Sequence, residues 1–80
     1  MIRDVKRTEK AMDLADQQNT LTLVVDLKAT KPEIKEQVEK MFNVKVAHVR
    51  THINFKGEKI AYVKLTKEHN AQEILDSLTE

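Results

Sequence analysis

The chain has 80 residues, with 14 Lys or Arg against 13 Asp or Glu, no cysteine, no tryptophan, one glycine and one proline. A chain this short buries only about 60% of its unfolded surface, so an enclosed enzyme pocket would consume its small core. Without cysteine there is no disulfide framework, thiolate metal site or cysteine nucleophile, and the longest apolar stretch, Ile60 to Val63, is too short to span a membrane.

The N-terminus, Met1 to Lys10, lacks the apolar stretch of a secretory signal. A short strand is expected near residues 2–6. Residues 8–17 read as a helix that Thr8 can cap, with Ala11, Leu14 and Ala15 at helical spacing and Met12 widening the stripe. Residues 20–26 alternate as a strand, with Leu21, Leu23 and Val25 on one face.

The next helix carries the clearest signals. Thr30 and Glu33 have the spacing of a capping box, and Pro32 lies in the first turn, where its missing N–H leaves nothing unpaired. Ile34, Val38, Met41 and Phe42 then form one apolar stripe, which Asn43 closes. Residues 44–55 read as a long strand. Val44 and Val46 share a face, but Val49, Ile53 and Phe55 are out of phase by one residue, which predicts a bulge near Ala47. Lys56-Gly57-Glu58 is the turn, with the glycine where a positive φ is needed. Residues 59–66 alternate again, with Ala61, Val63 and Leu65 inward. Asn70 caps a last helix whose apolar face is Ala71, Ile74, Leu75 and Leu78. The expected fold is α+β: a small antiparallel sheet of three to four strands with helices packed against it, order (β)αβαββα, as one domain over residues 1–80.

Charge is uneven along this order. Residues 40–67 hold seven basic side chains and one acidic, a balance of +6, whereas residues 68–80 hold four acids and no base. A segment at +6 seeks an anionic partner, most commonly nucleic acid. The plainer alternative is a solvated hairpin whose lysines guard an edge strand.

No catalytic constellation stands out, and no enzyme activity is expected. Ser77 is the sole serine and has no histidine near it in sequence. One glycine cannot build a phosphate loop. His48 and His52 on a strand lie about 13 Å apart, too far for one zinc ion, so no metal or other cofactor is expected. Glu33, Glu36 and Glu39 read as a solvated helix face with ion pairs to Lys35 and Lys40.

What remains is a polar strand face. Lys45, Arg50, His52 and Asn54 are donor-rich, with Thr51 among them; Lys56 and Lys59 extend the set around the turn, and Tyr62 and Lys64 continue it. Lys and Arg neutralise phosphates, while Asn, Thr and His reach sugars and base edges. A single Tyr is thin support for stacking, so folded RNA read by shape and backbone is the expected ligand. Lys28, Lys31 and Lys35 form a second basic set at a helix start, where free N–H groups favour phosphate. Arg3, Lys6, Arg7 and Lys10 form a third.

Several segments together carry a resemblance. They are Thr8-Glu9-Lys10-Ala11, Asp26-x-Lys28-Ala29-Thr30-Lys31-x-x-Ile34-Lys35, Val38-Glu39-x-x-Phe42-Asn43-Val44-Lys45-Val46 and Gly57-Glu58-Lys59-x-Ala61-Tyr62-Val63. In this order they resemble large-subunit ribosomal protein family twenty-three, and the short Lys56-Gly57-Glu58 turn resembles its archaeal and eukaryotic branch. The resemblance implies a structural component of the large ribosomal subunit, in the cytoplasm. It implies binding to large-subunit rRNA beside neighbouring ribosomal proteins at the rim of the polypeptide exit tunnel. It also implies a docking platform for the signal recognition particle and the translocon, with no membrane insertion and no small-molecule substrate. By resemblance the segment of residues 28–35 and the strand-turn-strand of residues 45–64 face rRNA, and the Thr-Glu-Lys segment with Glu9 is a docking surface. The expected rRNA-facing residues are thus Lys28, Thr30, Lys31, Lys35, Lys45, Arg50, Thr51, His52, Asn54, Lys56, Lys59 and Lys64, joined by Lys6 and Lys10 of the N-terminal basic set, and the expected factor-docking residues are Glu9 and Asp13. Val5 stands where relatives usually have proline, and Lys59-Ile60 where they often have two lysines. The alternative reading is a small ligand-sensing α+β domain that dimerises through its sheet.

Overall fold

The computed structural model describes residues 2–78. Among them, strands β1 (Ile2–Val5), β2 (Thr20–Val25), β3 (Val46–Ile53) and β4 (Lys59–Leu65) alternate with helices α1 (Glu9–Gln18), α2 (Lys31–Phe42) and α3 (Ala71–Leu78). The strands form one antiparallel sheet in the order β1-β2-β4-β3, the α+β arrangement expected from the sequence. The side chain of Leu78 lies outside the described residues.

Local chemistry sets each helix end. The Thr8 hydroxyl accepts the Ala11 N–H and starts α1. α1 stops at Asn19, which takes a left-handed φ of 53°. Its amide then works over long range: Nδ2 donates to the Thr66 and His69 carbonyls at 3.0 and 2.8 Å, and Oδ1 accepts the Ala71 N–H at 2.7 Å. One side chain thus ties the end of α1 to the end of β4 and the start of α3.

At α2 the capping box forms as expected, with Thr30 and Glu33 bonded reciprocally. The three glutamates of this helix do not share one solvated face. Glu33 serves the cap and Glu36 pairs with Lys40 at 2.9 Å, while Glu39 accepts the Val46 N–H at 3.1 Å and fastens α2 to the start of β3. Ile34 and Val38 are fully buried. Met41 departs from the expected stripe and is half exposed. Adjacent helical residues point about 100° apart, so only Phe42 packs against the core at that turn. Met12 departs in the same way, next to buried Ala11.

Strand β3 is shorter than residues 44–55. The predicted bulge is present: Val46 opposes Leu65, His48 opposes Lys64, and Ala47 is the extra residue. Beyond it Val49 points into the core, but Ile53 and Phe55 do not. The strand ends at Ile53 because Asn54 turns the chain. Asn54 Oδ1 accepts the N–H groups of Lys56 and Glu58, and Gly57, at φ 81°, completes the reversal.

One face of the sheet carries Leu21, Leu23, Val25, Val49, Ala61, Val63 and Leu65, which pack with Ile34 and Val38 of α2 and with Ala71 and Leu75 of α3. A Leu buried to this extent contributes roughly 1.5–3 kcal/mol. All six residues of β2 are buried, including Thr20, Thr22 and Val24 on the opposite face. Ala11, Leu14 and Gln18 of α1 flank that face of β2, so its half-buried alternation in sequence becomes burial on both sides.

Candidate nucleic-acid interface

Helix α1 covers the β2 side of the second face and Ile60 of β4, and leaves the rest of the β3–β4 side open. Cross-strand partners share a face. His48 lies opposite Lys64, Arg50 opposite Tyr62 and His52 opposite Ile60, so His48, Arg50, His52, Tyr62 and Lys64 all project from this open face. His48, Arg50, His52 and Lys64 are exposed and Tyr62 is half-buried. Neither β3 nor β4 contains an acidic residue. The face is therefore a donor-rich surface with no built-in counter-charge.

Its geometry is partly set in advance. The Arg50 guanidinium carbon sits 5.9 Å from the centroid of the Tyr62 ring. Such a cation–π contact holds the planar fork beside the Tyr62 ring. Two shallow grooves meet at Tyr62. One, of about 290 Å³, is lined by Gln18, Thr20, His48, Arg50, Tyr62 and Lys64. The other, of about 180 Å³, runs between Lys6, Lys10, Leu14, Thr22, Ile60 and Tyr62. The Lys6 N–H donates to the Thr22 carbonyl at 2.8 Å, which pins the N-terminal segment beside the sheet. The tertiary structure thereby joins Lys6 and Lys10 to the basic set of the hairpin.

The remaining basic candidates lie elsewhere. Lys45 precedes the bulge and pairs loosely with Glu68 at 3.8 Å. Thr51 faces the opposite side, across from Ala61. Asn54 spends its amide on the turn, with Nδ2 donating to Glu58 Oε1 at 3.2 Å. Lys59 also faces the other side, and its Nζ donates to the Ala29 carbonyl at 2.6 Å. That bond ties the hairpin to the loop holding Lys28 and leading to Lys31 and Lys35, a second basic patch with Lys56 nearby in the turn. At the start of α2 the Glu33 carboxylate already accepts the Thr30 N–H and hydroxyl, at 3.2 and 2.8 Å. An anion position at that helix end is occupied by the chain itself, so the lysines around it are what remains to attract phosphate.

Glu9 and Asp13 are both exposed, four residues apart on α1 beside exposed Met12 and Asp16. α1 thus presents an acidic exterior and turns its alanines inward. His48 is the face residue that sequence reasoning passed over, having weighed it only as a metal ligand; its even spacing from Arg50 and His52 was the available signal. Among the described residues, no three His, Asp or Glu side chains converge as a metal site would require.

A family profile described as ribosomal protein L23 matches residues 1–67 of the chain. Large ribosomal subunit protein uL23 of Pyrobaculum aerophilum is 55% identical over 78 residues, covering 98% of this chain and 96% of that protein. The uL23 proteins of Caldivirga maquilingensis and Methanothermobacter thermautotrophicus are 54% and 49% identical, over 89% and 84% of this chain and 83% and 78% of their own lengths.

Proposed function

The chain belongs to the ribosomal protein L23 family, a large-subunit ribosomal protein of the archaeal type, and from that premise we propose that it binds large-subunit rRNA as a structural component. Its place is the ribosome, in the cytoplasm. The observation that carries the rRNA reading is the open, acid-free face of β3 and β4, where His48, Arg50, His52 and Lys64 surround Tyr62. Lys and Arg there neutralise phosphates, and the histidines and Tyr62 hydrogen-bond to sugars and base edges. Lys6 and Lys10 extend this contact, and Lys28, Lys31, Lys35 and Lys56 form a second one. Thr30, Lys45, Thr51, Asn54 and Lys59 support these contacts chiefly by shaping the loops and strands that bear them.

Residues 1–80 act as one rRNA-binding domain at the rim of the polypeptide exit tunnel, among neighbouring ribosomal proteins. The acidic exterior of α1, with Glu9 and Asp13, suits the docking of the signal recognition particle and the translocon. No catalytic role is assigned. Among the described residues, no helix is long and apolar enough to cross a membrane. A depression of about 890 Å³ between the end of α1 and α3 is wide open and lined mainly by polar side chains, a poor enclosure for a small ligand.

The test is binding to a large-subunit rRNA transcript and to an unrelated duplex of equal length, at about 50 and 200 mM salt. Preference for the rRNA that survives the higher salt is expected. Arg50→Glu and Lys31→Glu should each weaken it and reduce the salt slope by about 1. Equal binding to both RNAs, erased by salt, would overturn the reading, and unchanged affinity in both variants would overturn the site assignment.

A further inference from the structure

Phe55 is the most exposed large apolar side chain among the described residues, at 96% of its full accessibility. It does not hang on a loose loop. The Asn54 N–H donates to the Glu58 carbonyl at 2.9 Å and the Gly57 N–H to the Asn54 carbonyl at 3.0 Å, while Asn54 Oδ1 holds the N–H groups of Lys56 and Glu58. The turn is braced on both sides of Phe55, so the ring is presented in water by a preorganised frame. With the backbone fixed, a partner that covers the ring has only the side chain left to order.

The surrounding charge selects the partner. Lys56, exposed, follows the ring directly, whereas the Lys59 ammonium on the next strand is already held by the Ala29 carbonyl. Glu58, the one acid of the turn, is engaged by Asn54 Nδ2. A flat exposed ring beside a free cation matches a nucleobase beside its phosphate: the ring stacks on the base and Lys56 meets the adjoining backbone. We propose that Phe55 is a stacking finger that takes one unpaired base of the bound RNA. This rests on the rRNA-binding reading and adds to it a single-base contact that shape and backbone readout do not supply. Ile53, 58% exposed two residues earlier, is the feature that would suit an apolar protein neighbour instead.

The experiment uses the full chain, the large-subunit rRNA transcript and the variants Phe55→Ala, Phe55→Leu and Phe55→Trp, with Arg50→Glu as a control for backbone contacts. The protein has no tryptophan, so Phe55→Trp supplies the sole indole as a reporter. Phe55→Ala and Phe55→Leu should each weaken rRNA binding by at least about five-fold with an unchanged salt slope. Phe55→Trp should retain affinity, and its emission should be quenched on binding. Binding by Phe55→Leu equal to the parent, with Phe55→Ala weakened, would mean a merely apolar contact and overturn stacking. Parental affinity in all three variants, with unquenched emission, would overturn the proposal while Arg50→Glu still weakens binding. Absence of any rRNA preference in the parent chain would instead remove the functional reading and this inference with it.

Discussion

The two faces of the sheet are built from the same strands and behave as different materials. On β4, Ala61, Val63 and Leu65 are buried, while Tyr62 and Lys64, interleaved with them, lie on the face that opens to water. On β3, Val49 is buried and its neighbours His48 and Arg50 are exposed. One face is closed by α2 and α3 and supplies the core. The other is closed by α1 over β2 and over Ile60 at the start of β4, and the rest of its β3–β4 half stays free. A short chain can hold a core and a donor-rich open surface together because a strand alternates its side chains between faces. The bulge at Ala47 preserves this division, since without the extra residue Val46 and Val49 could not both point inward.

Substitutions on the two faces should therefore separate cleanly into stability and binding. The largest effect is expected on the closed face. Leu23→Ala should lower the unfolding free energy by about 2–5 kcal/mol in urea titrations, because a fully buried side chain leaves a cavity. A loss below about 1 kcal/mol would show that the closed face is not close-packed. Next comes the joint between helices and sheet. Asn19→Ala removes the bonds to Thr66, His69 and Ala71 and places a Cβ residue without local support at positive φ. A loss of about 2–3 kcal/mol is expected from thermal and denaturant unfolding. Smallest is the open face. Arg50→Ala should change stability by only about 0.5 kcal/mol, the worth of an exposed cation–π contact, while rRNA affinity falls. If Arg50→Ala instead unfolds the protein, the division between the faces is not real.

Much of the fold was legible because its signals are local. The Thr30–Glu33 box, the Asn43 stop, the Leu21-Leu23-Val25 alternation and the phase break at Ala47 each lie within a few residues of one another. The errors arose where a pattern ran past the end of its element. Phe55 continues the parity of Val49 and Ile53, yet Asn54 has already turned the chain. Met41 continues the stripe of Ile34 and Val38, yet Phe42 takes the position against the core. Half of the candidate interface was legible in the same way, as Arg50, His52 and Lys64 at even spacing, and the order of motifs pointed to the family.

The sequence by itself determined the element order, the caps, the bulge and the concentration of positive charge in residues 40–67, because periodicity, capping and charge are properties of neighbouring residues. The tertiary structure decided which part of the second face is open, that Lys6 and Lys10 join it, and that Lys59 and Asn54 are drawn into holding the hairpin. Those outcomes rest on contacts between distant parts of the chain, such as Lys59 with Ala29, Lys6 with Thr22 and Asn19 with Ala71. No local pattern encodes them, since which side chains meet across the sheet depends on where every element has packed.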